Sequence, residues 1–369
     1  LDLKRKTGAR IVFGPTAKPG YDAIIAEDNQ VFSVGKMKIK VLHTPGHTME
    51  STTYLLIDED GHEHALITGD TLFIGDVGRP DLAQHVNSEL TERKLAGHLF
   101  ESLRNKIMPL PDHLIIYPNH GAGSACGKMM SKETVDTLGH QKKVNYALDT
   151  SLTKEAFINK LLSGLTAPPG YFPQNVLMNL RGYESFDDVL SHGMKALSVH
   201  EFEAIANETE VLILDTRDQS DFSKGFIPGA INIGVKGDFA PWAGALIVNT
   251  KQPILLVADE NNLQESITRL SRVGFDHVLG HLQGGMAAWL EAGKGIDTVN
   301  RISAQQFADE IKAGEPIILD VRKEGEFETN HIQGALSKPL AYINQWIQEL
   351  PQEHFYLHCQ GGYRSMVAA

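Results

Sequence analysis

The chain has 369 residues, of which 42% are hydrophobic and 22% are charged, an ordinary composition for a protein with buried cores. This length exceeds one ordinary domain, so we expect two or three domains. The formal net charge of −12 argues against nucleic acid as a main partner, and the sequence has no run of about 18 apolar residues that could cross a membrane.

Residues 1–150 alternate short apolar segments with Gly-rich turns, which predicts a layered α/β domain. KMKIKVLHTPGH has the two-residue apolar period of a strand that ends in a loop. STTYLLIDEDGHEHALITGD predicts a hairpin, and LIIYPNHG predicts a further buried strand. Ser88 is the predicted N-cap of an intervening helix. Residues 151–195 follow as a predicted helix and linker that contains Pro168 and Pro169, so we expect the domain boundary there.

Residues 196–369 contain an internal repeat. VLILDTRDQSDFSKGFIPGAINI at 211–233 matches PIILDVRKEGEFETNHIQGALSK at 316–338. Each copy has an apolar strand, an Asp-x-Arg turn, a short acidic helix and a turn into another strand. The repeat predicts two related α/β domains at 196–297 and 298–369, and we expect the second copy to be incomplete at its C-terminal end.

A reactive thiol is predicted at Cys359, in the loop HCQGGYRS between an apolar strand and a helix. Two glycines let the backbone curl, so that several N–H groups can face one point. The helix N-terminus and Arg364 add positive potential, which favours thiolate over thiol. A buried structural cysteine is the alternative. Aligning the two copies sets Asp259 against Cys359 and Gln264 against Arg364, so we expect the first copy to be inactive and to have a structural or docking role.

The segments LDVRKEGEFETNHIQGA and CQGGYRS resemble the rhodanese (sulfurtransferase) family, and the resemblance extends over both copies. It implies that Cys359 is the nucleophile that accepts sulfur. It also implies that Arg364 and the loop amides hold the bound group. The loop residues in question are Gln360, Gly361, Gly362 and Tyr363.

Three segments end predicted strands with side chains that bind metals: TPGHT with His47, TGDTLF with Asp70 and YPNHG with His120. Strand ends at one edge of a sheet bring such groups together. We therefore predict a metal site at this edge, although a histidine at a strand end is often a simple polar cap.

The spacing of these segments resembles the metallo-β-lactamase superfamily, which implies an αββα sandwich. A His-x-His-x-Asp-His motif comes first in that superfamily and is absent from this sequence. The chain starts about where the helix after that motif should be, so we expect the motif to precede Leu1 and the sandwich to be incomplete at its N-terminus.

The segment GDVGRPDL, with Arg79 and Asp81, resembles persulfide dioxygenases of this superfamily. The resemblance implies one Fe(II) per chain, with His47 and Asp70 as ligands. Zn is the alternative metal, in the protein as purified. His120 would be either a hydrogen-bonded neighbour of the ligands or a ligand of a second metal. Arg79 would bind or relay the substrate, or orient its loop, or form a surface salt bridge with Asp81.

The second thiol, Cys126, lies in HGAGSACGKMM shortly after His120. It is predicted either to bind or relay a persulfide or to be a small buried residue. The loop looks like the form found in persulfide dioxygenases that are fused to rhodanese domains.

Together these resemblances imply an enzyme that oxidises a low-molecular-weight thiol persulfide with O₂ to sulfite and exchanges sulfane sulfur, as in thiosulfate, at Cys359. One alternative is a thioesterase of the glyoxalase II type with an accessory rhodanese, and another is a non-enzymatic sulfur carrier or sensor. Two cysteines in different predicted domains make a disulfide scaffold unexpected, so we expect a cytoplasmic protein. Self-association is common in the superfamily, so we also expect a homo-oligomer.

Overall fold

The chain divides into two compact units, Leu1–Tyr183 and Glu184–Ala369. The computed structural model describes residues 1–81, 90–165, 169–208 and 210–369. Ser88, the predicted helix cap, and Pro168, in the predicted linker, lie outside these ranges. Within them, no helix has the length and apolar character needed to span a bilayer.

The first unit is built on a six-stranded sheet with the order β3-β4-β5-β6-β7-β8. Its neighbours pair antiparallel except β6 and β7, which run parallel. The predicted hairpin is confirmed as β5 and β6. Tyr117 in β7 is 42% exposed, so this strand is buried on one face only, contrary to the prediction. The strands of the unit are β1 Val12–Phe13, β2 Ile24–Ile25, β3 Val31–Val34, β4 Met37–His43, β5 Thr52–Ile57, β6 Glu63–Gly69, β7 Ile115–Pro118 and β8 Asp136–Thr137.

Helices cover one face of this sheet and form its core. Leu66 of the sheet packs in one cluster with Leu99 and Phe157 from two helices, and all three are fully buried. Phe157 lies in the segment predicted as helix and linker, so that helix belongs to the first core. The helices are α1 Asp2–Thr7, α2 Glu92–Ser102, which continues as a π-helical turn at Leu103–Ile107, α3 Leu138–Val144, α4 Lys154–Leu162 and α5 Phe172–Arg181.

The first repeat has a five-stranded, wholly parallel sheet with the order β11-β10-β12-β13-β9. All four residues of β12 are buried, as expected for a central parallel strand covered on both faces. The elements are α6 Phe186–Gly193, β9 Ala196–Leu197, α7 Val199–Glu208, β10 Leu212–Asp215, α8 Gln219–Phe222, β11 Ile231–Asn232, α9 Phe239–Leu246, β12 Ile254–Val257, α10 Glu260–Ser271, β13 Val278–Leu282 and α11 Gly285–Glu291.

The second repeat follows the same chain path around a three-stranded parallel sheet with the order β15-β14-β16. Its elements match those of the first repeat, which confirms the α/β class predicted for this half. They are α12 Ala304–Ala313, β14 Ile317–Asp320, α13 Glu324–Thr329, β15 Leu336–Ser337, α14 Ile343–Trp346, β16 Phe355–His358 and α15 Tyr363–Ala368.

The Asp-x-Arg turns of the two repeats have the same geometry. Arg217 Nη2 lies 2.6 Å from Asp215 Oδ2 and donates to the Gly225 carbonyl. Arg322 Nη2 lies 2.6 Å from Asp320 Oδ2 and donates to the Asn330 carbonyl. The arginine therefore ties the end of the strand to the loop after the next helix in both copies.

The predicted alignment of Asp259 with Cys359 is wrong by one residue. Asp215 pairs with Val257 in the first sheet, and its counterpart Asp320 pairs with His358 in the second. The residue after each of these partners is Ala258 in the first copy and Cys359 in the second. Ala258 therefore occupies the position of the thiol, so the first copy still has no cysteine there.

The loop that follows this position is also shorter in the first copy. Helix α10 begins at Glu260 with Asp259 as its N-cap, whereas α15 begins at Tyr363, after Gly362. Gln264 is thus an interior residue of a helix and does not correspond to Arg364, the second residue of α15. The first copy has no backbone loop at this position, within the described residues, that could surround a sulfur atom.

Candidate functional sites

The strand end before His47 is shaped by Gly46. Its φ of 153° is a conformation that other residues adopt with strain, and a Cβ atom there would lie 2.4 Å from Leu99 Cβ on helix α2. Because the loop passes this close to the helix, only glycine fits. The next residue, His47, is 8% exposed and is held at the sheet edge.

The orientation of His47 is set by its two ring nitrogens. Nδ1 lies 2.7 Å from the Arg79 carbonyl oxygen, to which it donates when protonated. Nε2 then carries the lone pair and lies 3.2 Å from Asp70 Oδ2. Metal-binding histidines commonly have this arrangement, in which a carbonyl fixes one nitrogen and leaves the other to the metal.

The structure brings Asp70, His120 and Cys126 together, with one potential ligand atom from each within 4.8 Å of the others. His120 Nε2 lies 3.4 Å from Asp70 Oδ2. Hydrogen bonds with Asp70 and Cys126 raise the pKa of His120 to about 10. Burial raises the pKa of Asp70, but the hydrogen bond from His120 and the nearby histidines outweigh burial and lower it below its usual value.

The two oxygens of Asp70 differ in their contacts, since both histidines approach Oδ2. Oδ1 is buried, and among the described residues it has no partner. An unpaired buried carboxylate oxygen costs about 1–3 kcal/mol or more, and a cation would remove that cost. The donor set of one carboxylate and imidazole nitrogens therefore fits a divalent transition metal such as iron or zinc.

Arg79 and Asp81 form a buried pair, with exposed fractions of 3% and 4%. Arg79 Nε and Nη2 donate to the two carboxylate oxygens at 2.7 and 2.6 Å, so the alternative of a surface salt bridge is wrong. Arg79 Nη1 also donates to the Ala125 carbonyl, and its backbone N–H donates to the Cys126 carbonyl. Arg79 thus joins the His47 loop to the Cys126 loop.

Asp76 also holds the Cys126 loop, a role that its sequence position did not indicate. This carboxylate is fully buried and accepts the N–H groups of Lys128 and Met129 at 2.5 and 2.6 Å. Its other oxygen accepts the N–H of Val77 and the Tyr146 hydroxyl. Cys126 is half-buried and is fixed beside His120 by these contacts.

Cys359 lies at the C-terminal end of β16, inside a turn of backbone N–H groups. Gly362 N donates to Sγ at 3.1 Å, Ser365 N at 3.4 Å, and the Ser365 hydroxyl lies 3.5 Å from it. Burial raises the pKa of the thiol, but the hydrogen bonds from Ser365 and from the loop amides of Gly361 and Gly362 outweigh burial and bring it below its usual value. The predicted glycine-rich cradle is therefore present, and Ser365 is an added member of it.

Arg364 is directed towards a carboxylate that sequence analysis did not single out. Its Nη1 and Nη2 donate to Glu326 Oε2 and Oε1 at 2.6 and 2.9 Å. Arg364 lowers the pKa of Glu326 to about 2. Glu326 stands in the segment EGEF, directly before Phe327, which aligns with Phe222 of the first copy. This position in the repeat, next to an aligned phenylalanine, was the sequence signal that could have identified Glu326.

A cavity of about 830 Å³ lies between the two repeats, and the thiol opens into it. The Cys359 loop forms one wall, including Gln360 and Gly361. The first repeat forms the opposite wall with Lys236, Asp259 and other residues. Tyr363, a predicted member of the cradle, points its hydroxyl to the Gly234 carbonyl of the first repeat at 2.9 Å.

Comparison with known proteins agrees with the division of the chain into a first unit and two repeats. The model of the Rhodanese-like domain matches residues 198–292 and 303–369. The hydroxyacylglutathione hydrolase of Dictyostelium discoideum is 38% identical over 96 residues, which are 26% of this chain and 32% of that protein. A Bacillus subtilis protein named "Probable metallo-hydrolase YqgX" is 35% identical over 106 residues, 29% of this chain and 43% of that protein. The chain thus spans less than half the length of these two relatives.

A solved structure covers more of the chain. The crystal structure of a metallo-β-lactamase from Staphylococcus aureus subsp. aureus COL is 30% identical, with a TM-score of 0.61. The match covers 76% of this chain and 79% of that one. The first unit thus has the predicted metallo-β-lactamase fold, and the C-terminal half has rhodanese-like domains. The chain therefore belongs to the metallo-β-lactamase family of this Staphylococcus aureus protein.

Proposed function

We propose that the protein is a cytoplasmic persulfide dioxygenase and sulfurtransferase, in which Cys359 accepts sulfane sulfur and the metal site at His47 and Asp70 serves the oxidation of a thiol persulfide. The observation that carries the proposal is the set of N–H groups from Gly362 and Ser365 around Sγ. These donors stabilise a thiolate before transfer and would stabilise a persulfide anion after it. Acyl hydrolysis has no need of such a site.

The transfer at Cys359 is a nucleophilic displacement at sulfur. The thiolate attacks the outer sulfur of R–S–SH, the S–S bond of the donor breaks, and the leaving thiolate takes the proton to give R–SH and the enzyme persulfide. With thiosulfate as donor, the leaving group is sulfite. The cavity of about 830 Å³ has room for a small thiol carrier as well as for thiosulfate.

In the first unit, His47 and Asp70 would hold Fe(II), with His120 beside them. The ion, when bound, would supply the activation of O₂ for the net reaction R–S–SH + O₂ + H₂O giving R–SH, sulfite and two protons. The protein's own residues orient this site. The Arg79 carbonyl fixes the His47 ring. The buried Arg79–Asp81 pair holds the loop that carries this carbonyl.

A thioesterase of the glyoxalase II type is the second candidate, and the identity with the Dictyostelium discoideum hydroxyacylglutathione hydrolase favours it. That activity predicts two metal ions per chain, hydrolysis of an acyl-thiol and no consumption of O₂. A sulfur carrier or sensor is the third candidate. It predicts stable persulfidation of Cys359 without release of sulfite.

The deciding experiment uses full-length protein loaded with Fe(II) and supplied with glutathione persulfide or coenzyme A persulfide in the presence of O₂. We expect oxygen uptake with formation of sulfite and thiosulfate. Cys359→Ser should abolish sulfur exchange and leave oxygen uptake, whereas His47→Ala should remove iron and oxygen uptake together. Absence of oxygen uptake with every small persulfide, together with hydrolysis of an acyl-glutathione, would establish the second candidate instead.

A further inference from the structure

The Cys359 loop contacts the first repeat through the side chain of Tyr363. Tyr363 is the first residue of helix α15 and follows Gly362, whose φ is 84°. Its hydroxyl donates to the Gly234 carbonyl at 2.9 Å. The ring is half-buried, and burial raises the pKa of its hydroxyl, which keeps that hydroxyl a donor.

The surface that receives the ring is made of backbone, and glycines make the contact possible. A Cβ atom at Gly237 would lie 2.4 Å from Tyr363 Cε2 and 2.5 Å from Cζ. One at Gly234 would lie 3.3 Å from Cε2. All three distances are shorter than ordinary van der Waals contact, so the ring lies directly against the 234–237 segment.

That segment is itself fixed from within the first repeat. Arg269 of helix α10 donates to the carbonyls of Val235 and Gly237. Val235 N donates to the Thr216 carbonyl at 3.0 Å, and Gly237 N donates to the Gly234 carbonyl at 3.2 Å. The Gly234 carbonyl that receives the Tyr363 hydroxyl is therefore part of a closed hydrogen-bonded turn.

The contact lies close to the groups that surround the sulfur. Tyr363 stands between Gly362 and Ser365, whose N–H groups lie 3.1 and 3.4 Å from Sγ. A displacement of the Tyr363 ring would move both donors, because they belong to the same turn of helix α15. The contact with the first repeat therefore lies within one helical turn of the donors to the thiol.

We propose that the first repeat, which has Ala258 at the position of the thiol, is a positioning element for the second, and that it holds the Cys359 loop in its active geometry through the contact of Tyr363 with Gly234 and Gly237. Tyr363 and Gly237 act on the reaction through the loop and are positioning residues. This inference rests on the proposed role of Cys359 as sulfur acceptor and adds what maintains that role.

The test is the rate of alkylation of Cys359 by iodoacetamide as a function of pH, in protein of residues 1–369 with Cys126→Ser, in which Cys359 is the one remaining cysteine. Gly237→Ala should displace the ring, and Tyr363→Phe should remove the hydroxyl bond while keeping the ring. We expect each to slow alkylation at neutral pH by about threefold or more, which corresponds to a rise of about 0.5 in the thiol pKa. Gly295→Ala is the matched control, because a Cβ there meets no atom of the described residues within 4 Å.

Two outcomes are decisive. If both variants alkylate with the pH profile of the Gly295→Ala protein, the first repeat does not position the loop. If Gly237→Ala fails to fold, Tyr363→Phe alone decides, and an unchanged profile overturns the proposal. Sulfur transfer from thiosulfate to Cys359 is measured separately. If the alkylation rate of Cys359 depends on the Tyr363 contact but Cys359 accepts no sulfur, the proposed function is refuted and the positioning role stands.

Discussion

The Glu326 carboxylate binds the Arg364 guanidinium through two hydrogen bonds of 2.6 and 2.9 Å, so the charge that was expected to favour the thiolate and to hold the bound sulfur group is shared with a side chain. Glu326 lies on helix α13, and Arg364 lies on α15. The pair therefore joins the helix after the Asp-x-Arg turn to the helix that begins the cradle of Cys359.

Replacing Glu326 with Gln should destabilise the protein in a pH-dependent way. Arg364 lowers the pKa of Glu326 from 4.5 to about 2. The contribution of the pair is thus fully present above pH 4.5 and is lost as the pH falls towards 2. For a partly exposed pair we expect about 1 kcal/mol at neutral pH. Urea unfolding at pH 7 and pH 3 measures the difference, which should be smaller at pH 3.

The control for this change is Glu328→Gln on the same helix. Glu328 is exposed, so the variant removes one charge without removing the pair with Arg364. Equal losses of stability in the two variants, or a loss in Glu326→Gln that does not change with pH, would contradict the assigned contribution.

Gly78→Ala should weaken metal binding without replacing a ligand. A Cβ atom at Gly78 would lie 2.1 Å from the Asp70 carbonyl oxygen and 3.0 Å from His47 Nδ1. The backbone must shift, and this would reorient both proposed ligands. We expect a loss of about 10–100-fold in metal affinity, the usual effect of disturbing the groups that orient ligands. Metal titration monitored by mass spectrometry or calorimetry measures it. The control is Gly121→Ala at the same sheet edge, where a Cβ meets nothing within 4 Å in the described part of the chain, and it should bind metal normally.

Asp76→Asn should loosen the loop of Cys126. The amide nitrogen of Asn would face either the Lys128 and Met129 N–H groups or the Val77 N–H and Tyr146 hydroxyl, so two donors would lose their acceptor. We expect a stability loss of about 1–3 kcal/mol. In a Cys359→Ser background, Cys126 should also be alkylated faster. Unchanged alkylation with lowered stability would show that Asp76 supports the core and not the loop.

Ala258→Cys should place a thiol at the position equivalent to Cys359 and still give no sulfurtransferase activity. The helix after Ala258 begins at Glu260, so the backbone loop that surrounds Cys359 has no counterpart there. We expect the new thiol to react with iodoacetamide at the rate of an ordinary cysteine. The variant is made with Cys126 and Cys359 replaced by Ser and is compared with Cys126→Ser protein. Sulfur transfer by the introduced thiol at a rate comparable to that of Cys359 would show that the position suffices without the loop.

Much of the fold was predictable because its signals are local. The apolar period of β4, the acidic turn between β5 and β6, and the repeat of the Asp-x-Arg turn each depend on residues close together in the chain. The glycines of CQGGYRS likewise predicted a tight turn around Cys359. The metal edge was predictable because strands of one sheet end side by side, which brought His47 and Asp70 together.

Only the tertiary structure decided how these parts meet. The sequence by itself determined a thiol in a glycine-rich loop, a repeat without a second thiol, and a set of metal-binding side chains at strand ends. It did not determine that Ala258 is the counterpart of Cys359, because strand register depends on pairing with a neighbour. Nor did it determine the Glu326–Arg364 pair or the Tyr363 contact with Gly237, since these join residues far apart in the chain.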